Sequence, residues 1–352
     1  MRLGVDLRCL AEGEQGGIAV YAQALIPRLA RHFAGACVGF VSGARVQKPV
    51  MPFDVQHVRW PNKLVNASLV ALKRPRLDAA MQADIVFAPT PKYLALAPGT
   101  PLVLTVHDLS FIEHPEYFTR RQRFWHHWLR IGTLLERADR IIAVSEHTAA
   151  DIRALAPSTT SRIRVIASGA DHGPATPTAS YPGLPQTYAL AFASAEPRKN
   201  IANIIRAHEL AFSRTGVPLV LVGSGARVGQ GIIRLPYLSA DDRWRVLGNA
   251  QVLLYPSLYE GFGFPPLEAM RLGVPVVASH VTSLPEVLGA AALYVDPWDP
   301  QDIARGIEAV HTDAELRADL RTRGLQHVAT YHWDTCATLT AAVIHEAYAH
   351  RH

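Results

Sequence analysis

Val252-Leu253-Leu254-Tyr255-Pro256-Ser257-Leu258-Tyr259-Glu260-Gly261-Phe262-Gly263-Phe264-Pro265-Pro266-Leu267-Glu268 runs from apolar residues into a glycine-rich turn set between two glutamates. Its opening apolar run reads as a buried strand, and Leu267 to Leu272, entered through Pro265-Pro266, reads as a helix with proline at its start. A glycine turn therefore joins the carboxyl end of a strand to the amino end of a helix. The first turn of a helix offers unpaired N–H groups and partial positive charge, and Gly261 and Gly263 let a ligand approach the backbone closely. Glu260 is expected at the lip of such a site, within reach of a hydroxyl-bearing ligand, and Glu268, in the first helical turn, as an acceptor for a diol. The competing reading is a plain glycine turn flanked by two solvated glutamates.

The surroundings repeat the same junction. In the second half, strand Tyr188 to Phe192 leads through a loop to a helix from Asn200 or Ile201 to about Thr215. Strands Leu219 to Val222 and Val274 to Ala278 and a helix around Ile303 to Val310 follow. In the first half, candidate strands lie at Leu3 to Leu7, Cys37 to Ser42, Gln56 to Arg59, Asp84 to Ala88, Leu102 to Val106, Arg140 to Ser145 and Arg164 to Ile166. Between the halves runs His172-Gly173-Pro174-Ala175-Thr176-Pro177-Thr178-Ala179-Ser180-Tyr181-Pro182-Gly183, the most linker-like composition in the chain. Two βα alternations separated by a linker predict an α/β protein of two doubly wound domains, about 1–170 and 171–330, with a central cleft as the expected binding site. The length of 352 residues agrees with two domains.

Strand ends in such sheets are where ligands bind. His107 closes the run Leu102 to Val106 and is a candidate to hold a sugar hydroxyl, the alternative being a cap for backbone groups. Gly16-Gly17 precede a helix from Ile18 to Phe33 and form either a phosphate-approach loop or a simple turn. Glu196-Pro197-Arg198-Lys199-Asn200 puts two adjacent cations at a strand-to-helix junction, suited to a diphosphate, or else to solvent. The helix read from Phe118 to Arg137 carries Arg120, Arg121, Arg123, His126, His127 and Arg130 among Phe124, Trp125, Trp128 and Leu129. It reads as a buried aromatic stripe with a basic outer face, or as a membrane-surface helix.

Composition narrows the function classes. No apolar run has the length of a membrane span and the amino terminus has no signal-peptide layout, which predicts a cytoplasmic protein, with the inner face of the membrane as the alternative station. Cys9, Cys37 and Cys336 fit neither a zinc site nor a disulfide framework and read as reduced thiols. The net charge of +5 is uneven: residues 1–170 hold 21 Lys+Arg against 13 Asp+Glu, and residues 171–352 hold 14 against 17. The basic half predicts an anionic acceptor or peripheral contact with anionic lipid, while no helix-turn-helix, zinc-finger or RNP-like signature speaks for nucleic acid.

Together these residues resemble the retaining nucleotide-sugar glycosyltransferases of family 4, which have the GT-B fold of two Rossmann-like domains. The resemblance runs from Gly16-Gly17 through Thr105-Val106-His107-Asp108, Ile141 to Ser145, Ser168-Gly169-Ala170-Asp171 and Glu196 to Asn200. It continues through Tyr255 to Met270, Gly273 to Ser279 and Pro285-Glu286-Val287. It implies that the second domain binds the donor and the first the acceptor. Glu260 would then contact the donor sugar, Glu268 the ribose, and Arg198 with Lys199 the diphosphate. Gly16-Gly17 and the N–H groups of Phe262, Gly263 and Phe264 would meet phosphate or sugar oxygens. His107 would hold a sugar hydroxyl near the reacting carbon, and Pro236-Tyr237-Leu238 would meet the base. The helix of about 331–352 would cross back to the first domain.

The resemblance departs at Ala193-Ser194, where many members carry Gly-Arg; Arg198 then has to supply that charge, or Lys199 acts alone. It further implies a metal-independent, retaining hexosyl transfer without cofactor, GDP-mannose being the first donor to expect. A glycan or lipid-linked acceptor in bacterial surface polysaccharide (O-antigen) synthesis goes with it. A non-catalytic nucleotide-binding partner subunit and a sugar-nucleotide epimerase are the rival readings on the same fold.

Overall fold

The computed structural model describes residues 1–11, 16–44, 46, 48–176, 179–224 and 229–351. Pro177 and Thr178 of the linker stretch, Gly225 after the strand at Leu219, and His352 lie outside the described residues. The chain divides into two compact units, one of Met1–Glu113, Thr119–Gly169 and His332–His352, the other of His114–Phe118 and Ala170–Tyr331.

In the first unit the strands are β1 (Leu3–Asp6), β2 (Cys37–Ser42), β3 (Asp54–Val58), β4 (Ile85–Ala88), β5 (Leu102–Val106), β6 (Arg140–Ala143) and β7 (Ile163–Val165). They form one parallel sheet in the order β3-β2-β1-β4-β5-β6-β7. β1, β2, β4, β5 and β6 are buried along their whole length, the reason parallel strands read as unbroken apolar runs. Helix Trp333–Ala349 belongs to this unit. Trp333, Cys336, Ala337, Thr340, Ala341, Ile344 and Ala347 recur at helical spacing and are buried, and Glu346 near its end binds Arg140 and Arg164 at 3.1 and 2.5 Å. Gly169 is required here, because a Cβ would lie 2.3 Å from the Trp333 backbone nitrogen.

The second unit holds β8 (Ala189–Ala193), β9 (Leu219–Gly223), β10 (Ile232–Leu235), β11 (Val252–Tyr255), β12 (Val276–Ser279) and β13 (Leu293–Val295), all parallel, in the order β10-β9-β8-β11-β12-β13. Both orders reverse direction once, between β1 and β4 and between β8 and β11. The loops after those strands diverge to opposite faces and leave the crevice in which doubly wound sheets bind ligands.

Two expectations are corrected. The segment read as one helix from Phe118 to Arg137 is two helices, Arg120–Leu129 and Ile131–Arg137, broken at Arg130, whose φ is +49°. Its aromatic stripe is not buried: Phe124, Trp125 and Trp128 are 57, 42 and 46% exposed. The second correction concerns the helix after the glycine turn. It begins at Phe264 rather than Leu267, so Glu268 stands beyond the first turn.

Candidate active site

The second unit gathers its charged residues at its own reversal point. The loop after β8 tightens into a single turn, Pro197–Lys199, and the next helix starts at Ile201 through Asn200 in the left-handed conformation. The Asn200 side-chain amide donates to the carbonyls of Pro256 and Pro297 at 2.9 and 2.6 Å, so the loop after β8 is tied to the loop after β11. Arg198 and Lys199 are thereby aimed at Glu260. Arg198 Nη1 donates to Glu260 Oε2 at 2.9 Å and Lys199 Nζ to Glu260 Oε1 at 2.6 Å. Lys199 also donates to the Tyr255 hydroxyl at 2.9 Å, and Arg198 Nε contacts Glu196 at 2.7 Å.

Burial alone would raise the Glu260 pKa, but Lys199 and Arg198 overcome it and hold the carboxyl down at about 2. Burial pulls Lys199 below its ordinary value, with Glu260 opposing and Arg198 reinforcing. Tyr255 is pushed well above the ordinary phenol range by burial and by the Glu260 charge, so it stays neutral. Glu260 is thus a fixed anion between two cations and carries no proton to give near neutral pH.

The glycine turn is strapped from the other side. Thr282 Oγ1 accepts from the Glu260 N–H at 3.1 Å, and Ser283 Oγ donates to the Glu260 carbonyl at 2.8 Å. Gly263 ends the turn at φ +107°, where a side chain is strained and a Cβ would stand 2.8 Å from Leu284 Cδ2. Phe262, Gly263 and Phe264 are buried around the helix start, at which Pro265 and Pro266 contribute no N–H.

Glu268 is 2% exposed, and both of its oxygens are engaged within the protein: Oε1 by His172 Nε2 at 3.0 Å, Oε2 by Arg243. Burial would raise this carboxyl too, and Arg243 with His172 brings it down to about 2. Arg243 lies over the Phe192 ring, 4.7 Å from its centroid, and His172 packs edge-on against Trp244 and Phe264. Neither partner was legible. His172 falls in the stretch whose composition reads as linker, and Arg243 in the polar run Asp241-Asp242-Arg243 that reads as a solvated helix start. The one usable signal was the place of Glu268 in the helix that follows β11, since a carboxylate buried there requires a cation.

Tyr237 and Leu238 lie just before helix Ala240–Gly248, the helix that carries Arg243. Tyr237 is 66% exposed and, with Gly223, Ser224, Arg234 and Pro236, lines a depression of about 410 Å³ at the ends of β9 and β10. Its hydroxyl is 3.2 Å from Ser224 Oγ.

His107, Gly16 and Gly17 belong to the first unit. His107 follows β5, and its Nε2 lies 2.8 Å from the Pro89 carbonyl after β4. A carbonyl only accepts, so Nε2 carries the proton and Nδ1 keeps a lone pair. Tyr21, from helix Gly17–Ala30, packs edge-on against the imidazole at 4.7 Å between ring centroids. Burial lowers the His107 pKa, and the Pro89 hydrogen bond and Asp108 only partly restore it. Asp108 itself accepts from the Ser110 N–H and hydroxyl and caps the short helix Ser110–Glu113. Gly16 is the extended residue before helix Gly17–Ala30, and a Cβ there would meet nothing within 4 Å.

The first unit also contains a buried ion pair with no signal in the local sequence. Asp6, the last residue of β1, and Arg8, just beyond it, are 2 and 1% exposed and joined by two side-chain bonds of 2.9 and 2.7 Å; Arg8 further donates to the Tyr93 carbonyl at 2.7 Å. That bond fixes one wall of a pocket of about 390 Å³ to which Ile18, Tyr93 and His107 contribute. Among the described residues no group of three or more His, Cys, Asp or Glu side chains could hold a metal ion.

Comparison with known proteins covers both units. Residues 183–327 match the family described as Glycosyl transferases group 1, and residues 15–173 that described as Glycosyltransferase Family 4. The O-antigen chain mannosyltransferase B of Escherichia coli is 36% identical over 262 residues, 68% of this chain and 68% of that one. The serotype-specific mannosyltransferase WbdA of Escherichia coli is 30% identical over 263 residues, 67% of this chain but 32% of that longer protein. Among solved structures, sucrose-phosphate synthase from Thermosynechococcus elongatus shares the fold, with a TM-score of 0.76 at 18% identity over 99% of this chain and 100% of that one. The expected doubly wound α/β architecture, GT-B, is the one found.

Proposed function

Because this chain belongs to the glycosyltransferases, group 1 in its second half and family 4 in its first, we propose that it moves mannose from a nucleoside-diphosphate sugar, GDP-mannose first, to a glycan or lipid-linked acceptor of a bacterial surface polysaccharide. The observation that carries the chemistry is the pair Arg198 and Lys199, held by Glu260 at the reversal point of the second sheet. The 36% identity to an O-antigen mannosyltransferase supports the choice of sugar.

On this reading the bond between the sugar's anomeric carbon and the phosphate oxygen breaks, and negative charge grows on the departing diphosphate. Preorganised cations are worth most where such charge develops, and Arg198 and Lys199 supply it without a metal ion. Arg198 takes over the charge that Ala193-Ser194 lacks. Glu260, with both oxygens engaged by cations, is a poor nucleophile and a poor acid, so it orients the sugar. The acceptor hydroxyl then adds to the same face, its proton passes to the leaving phosphate oxygen, and configuration is retained. His107 Nδ1 accepts from a sugar hydroxyl, and the start of helix Gly17–Ala30 meets phosphate or sugar oxygens. Tyr237 and Leu238 line the base site, and Glu268 uses its remaining lone pairs on the ribose.

The test is product analysis with a panel of nucleoside-diphosphate sugars and a short mannan acceptor. Transfer from GDP-mannose with retained anomeric configuration, in the presence of a chelator, is expected. No transfer from any donor, with nucleotide binding intact, would make the chain a partner subunit instead. Isomerisation of the donor without acceptor would make it an epimerase.

A further inference from the structure

Helix Arg120–Leu129 has the sequence Arg-Arg-Gln-Arg-Phe-Trp-His-His-Trp-Leu, and eight of its ten residues are exposed; only His126 and Leu129 are partly covered. Three large aromatic side chains facing water on one ten-residue helix are costly unless something covers them. Arg121, Phe124, Trp125 and Trp128 recur at three- and four-residue spacing and so share a face. Arg120 and Arg123 flank that face, and no Asp or Glu occurs from Tyr117 through Leu135. The helix start is fixed by a capping box between Thr119 and Gln122, so the face is preformed.

From this we infer that helix Arg120–Leu129 docks on an anionic lipid bilayer, lying in the headgroup plane with Phe124 and Trp128 inserted and Arg120 and Arg121 on lipid phosphates. Charge decides the occupant. Indole rings favour the boundary between water and acyl chains, and an acid-free cationic helix gains affinity with each anionic lipid it meets. Among the described residues no helix is long and apolar enough to cross a membrane, so attachment of this kind would be peripheral.

The helix is also part of a pocket wall. Trp125, His126 and Leu129 line the 390 Å³ pocket of the first unit together with Asn66, Phe111 and His107. The Tyr93 hydroxyl donates to the Trp125 carbonyl at 2.8 Å and ties the helix to that wall. Docking therefore sets the rim of the His107 pocket at headgroup level, where the sugar of a lipid-anchored acceptor can enter while its anchor stays in the bilayer. This step rests on the proposed transferase function; the docking itself does not.

Flotation of the full chain with phosphatidylcholine vesicles, with and without about 30% phosphatidylglycerol, at low and high salt, tests the docking. Binding to the anionic vesicles only, weakening with salt, is expected. Phe124→Ser with Trp128→Ser, and separately Arg120→Glu with Arg121→Glu, should each lower the bound fraction roughly tenfold or more while leaving the melting temperature unchanged. Both variants should keep the wild-type rate on a water-soluble acceptor and lose roughly tenfold on the same glycan carried by a vesicle lipid. Equal flotation of wild type and variants, or none by wild type, overturns the inference. Self-association that disappears with Phe124→Ser and Trp128→Ser, without vesicle binding, would overturn it in favour of a second copy. Absence of transfer to every acceptor with vesicle binding intact would sink the proposed function and leave the docking standing.

Discussion

Lys199 Nζ stands 2.6 Å from Glu260 Oε1 although 61 positions separate the two residues in the chain. The adjacency of β8 and β11, out of sequence order, brings them together. With Arg198 on the other oxygen, Glu260 holds in place two cations that would otherwise repel each other, the pair that the proposed function sets against the departing diphosphate.

Replacing Lys199 with Met should therefore cost transfer about 10² to 10³ in kcat, the usual loss when one preorganised group at a developing anion is removed. Arg198→Lys should be damaging too, because a point charge does not reproduce the guanidinium's simultaneous contacts with Glu196, Tyr259 and Glu260. Glu260→Gln leaves the two cations facing each other and should destabilise the second unit on the order of 2 kcal/mol. That is less than a fully buried pair would give, since Arg198 and Lys199 remain 17 and 19% exposed. Steady-state kinetics alongside urea unfolding separates the two effects. Wild-type kcat in Lys199→Met would remove this residue from the chemistry.

Acid stability follows from the same contacts. Glu260 and Glu268 are each held at about 2, against an ordinary value of 4.5. Their pKa values are depressed in the folded state, so their contribution is complete above about pH 4.5 and is lost as the pH falls toward about 2. Each carboxylate accounts for roughly 3 kcal/mol at most. Urea unfolding between pH 6 and pH 3 should show a falling stability that flattens in the Glu260→Gln, Glu268→Gln double variant. Arg243→Met should flatten part of it, since Arg243 is the main group that lowers Glu268. An unchanged slope in the double variant would mean that other carboxylates govern acid unfolding.

The fold was readable because parallel strands buried on both faces must be apolar throughout, and because a ligand-binding loop must follow such a strand. β8 and β11 show that signature, and β1 and β5 show it apart from Asp6 and Thr105. What covers a helix face was not readable. Periodicity reports that Phe124, Trp125 and Trp128 share a side, and burial or exposure of that side depends on neighbours elsewhere in the chain. The partners of Glu268 were hidden for the same reason: Arg243 and His172 reach it from 25 and 96 positions away, each from a segment whose local composition reads as solvent-facing.

Two glycines should respond oppositely to alanine. Gly263 has φ +107° and Leu284 Cδ2 at 2.8 Å from a would-be Cβ, so Gly263→Ala combines backbone strain with a clash and should destabilise by about 1 to 3 kcal/mol. Gly16 is extended with open space around it, so Gly16→Ala should leave the melting temperature unchanged, within about 0.5 kcal/mol. If the Gly16-Gly17 step meets donor oxygens, Gly16→Ala should raise KM for the donor without touching stability. A stable variant with unaltered donor KM would reduce Gly16 to an ordinary residue before a helix.

If His107 holds a sugar hydroxyl as proposed, transfer should have an acid limit. Nε2 is committed as donor to the Pro89 carbonyl, so a sugar hydroxyl can be held only through the Nδ1 lone pair, which exists only in neutral imidazole. Burial keeps the ring neutral by lowering its pKa below the ordinary 6.5. Activity should accordingly be flat through neutral pH and fall on the acid side below 6.5, as Nδ1 takes a proton and loses its accepting role. Tyr21→Phe removes the hydrogen bond to Thr105 but keeps the ring edge that packs on the imidazole, so it should leave that limb in place. His107→Asn should lower kcat/KM about 10² and abolish the acid limb, because the titrating imidazole is then gone from the end of β5. An acid limb that persists unchanged in His107→Asn would assign it to another residue and leave His107 with a packing role against Tyr21.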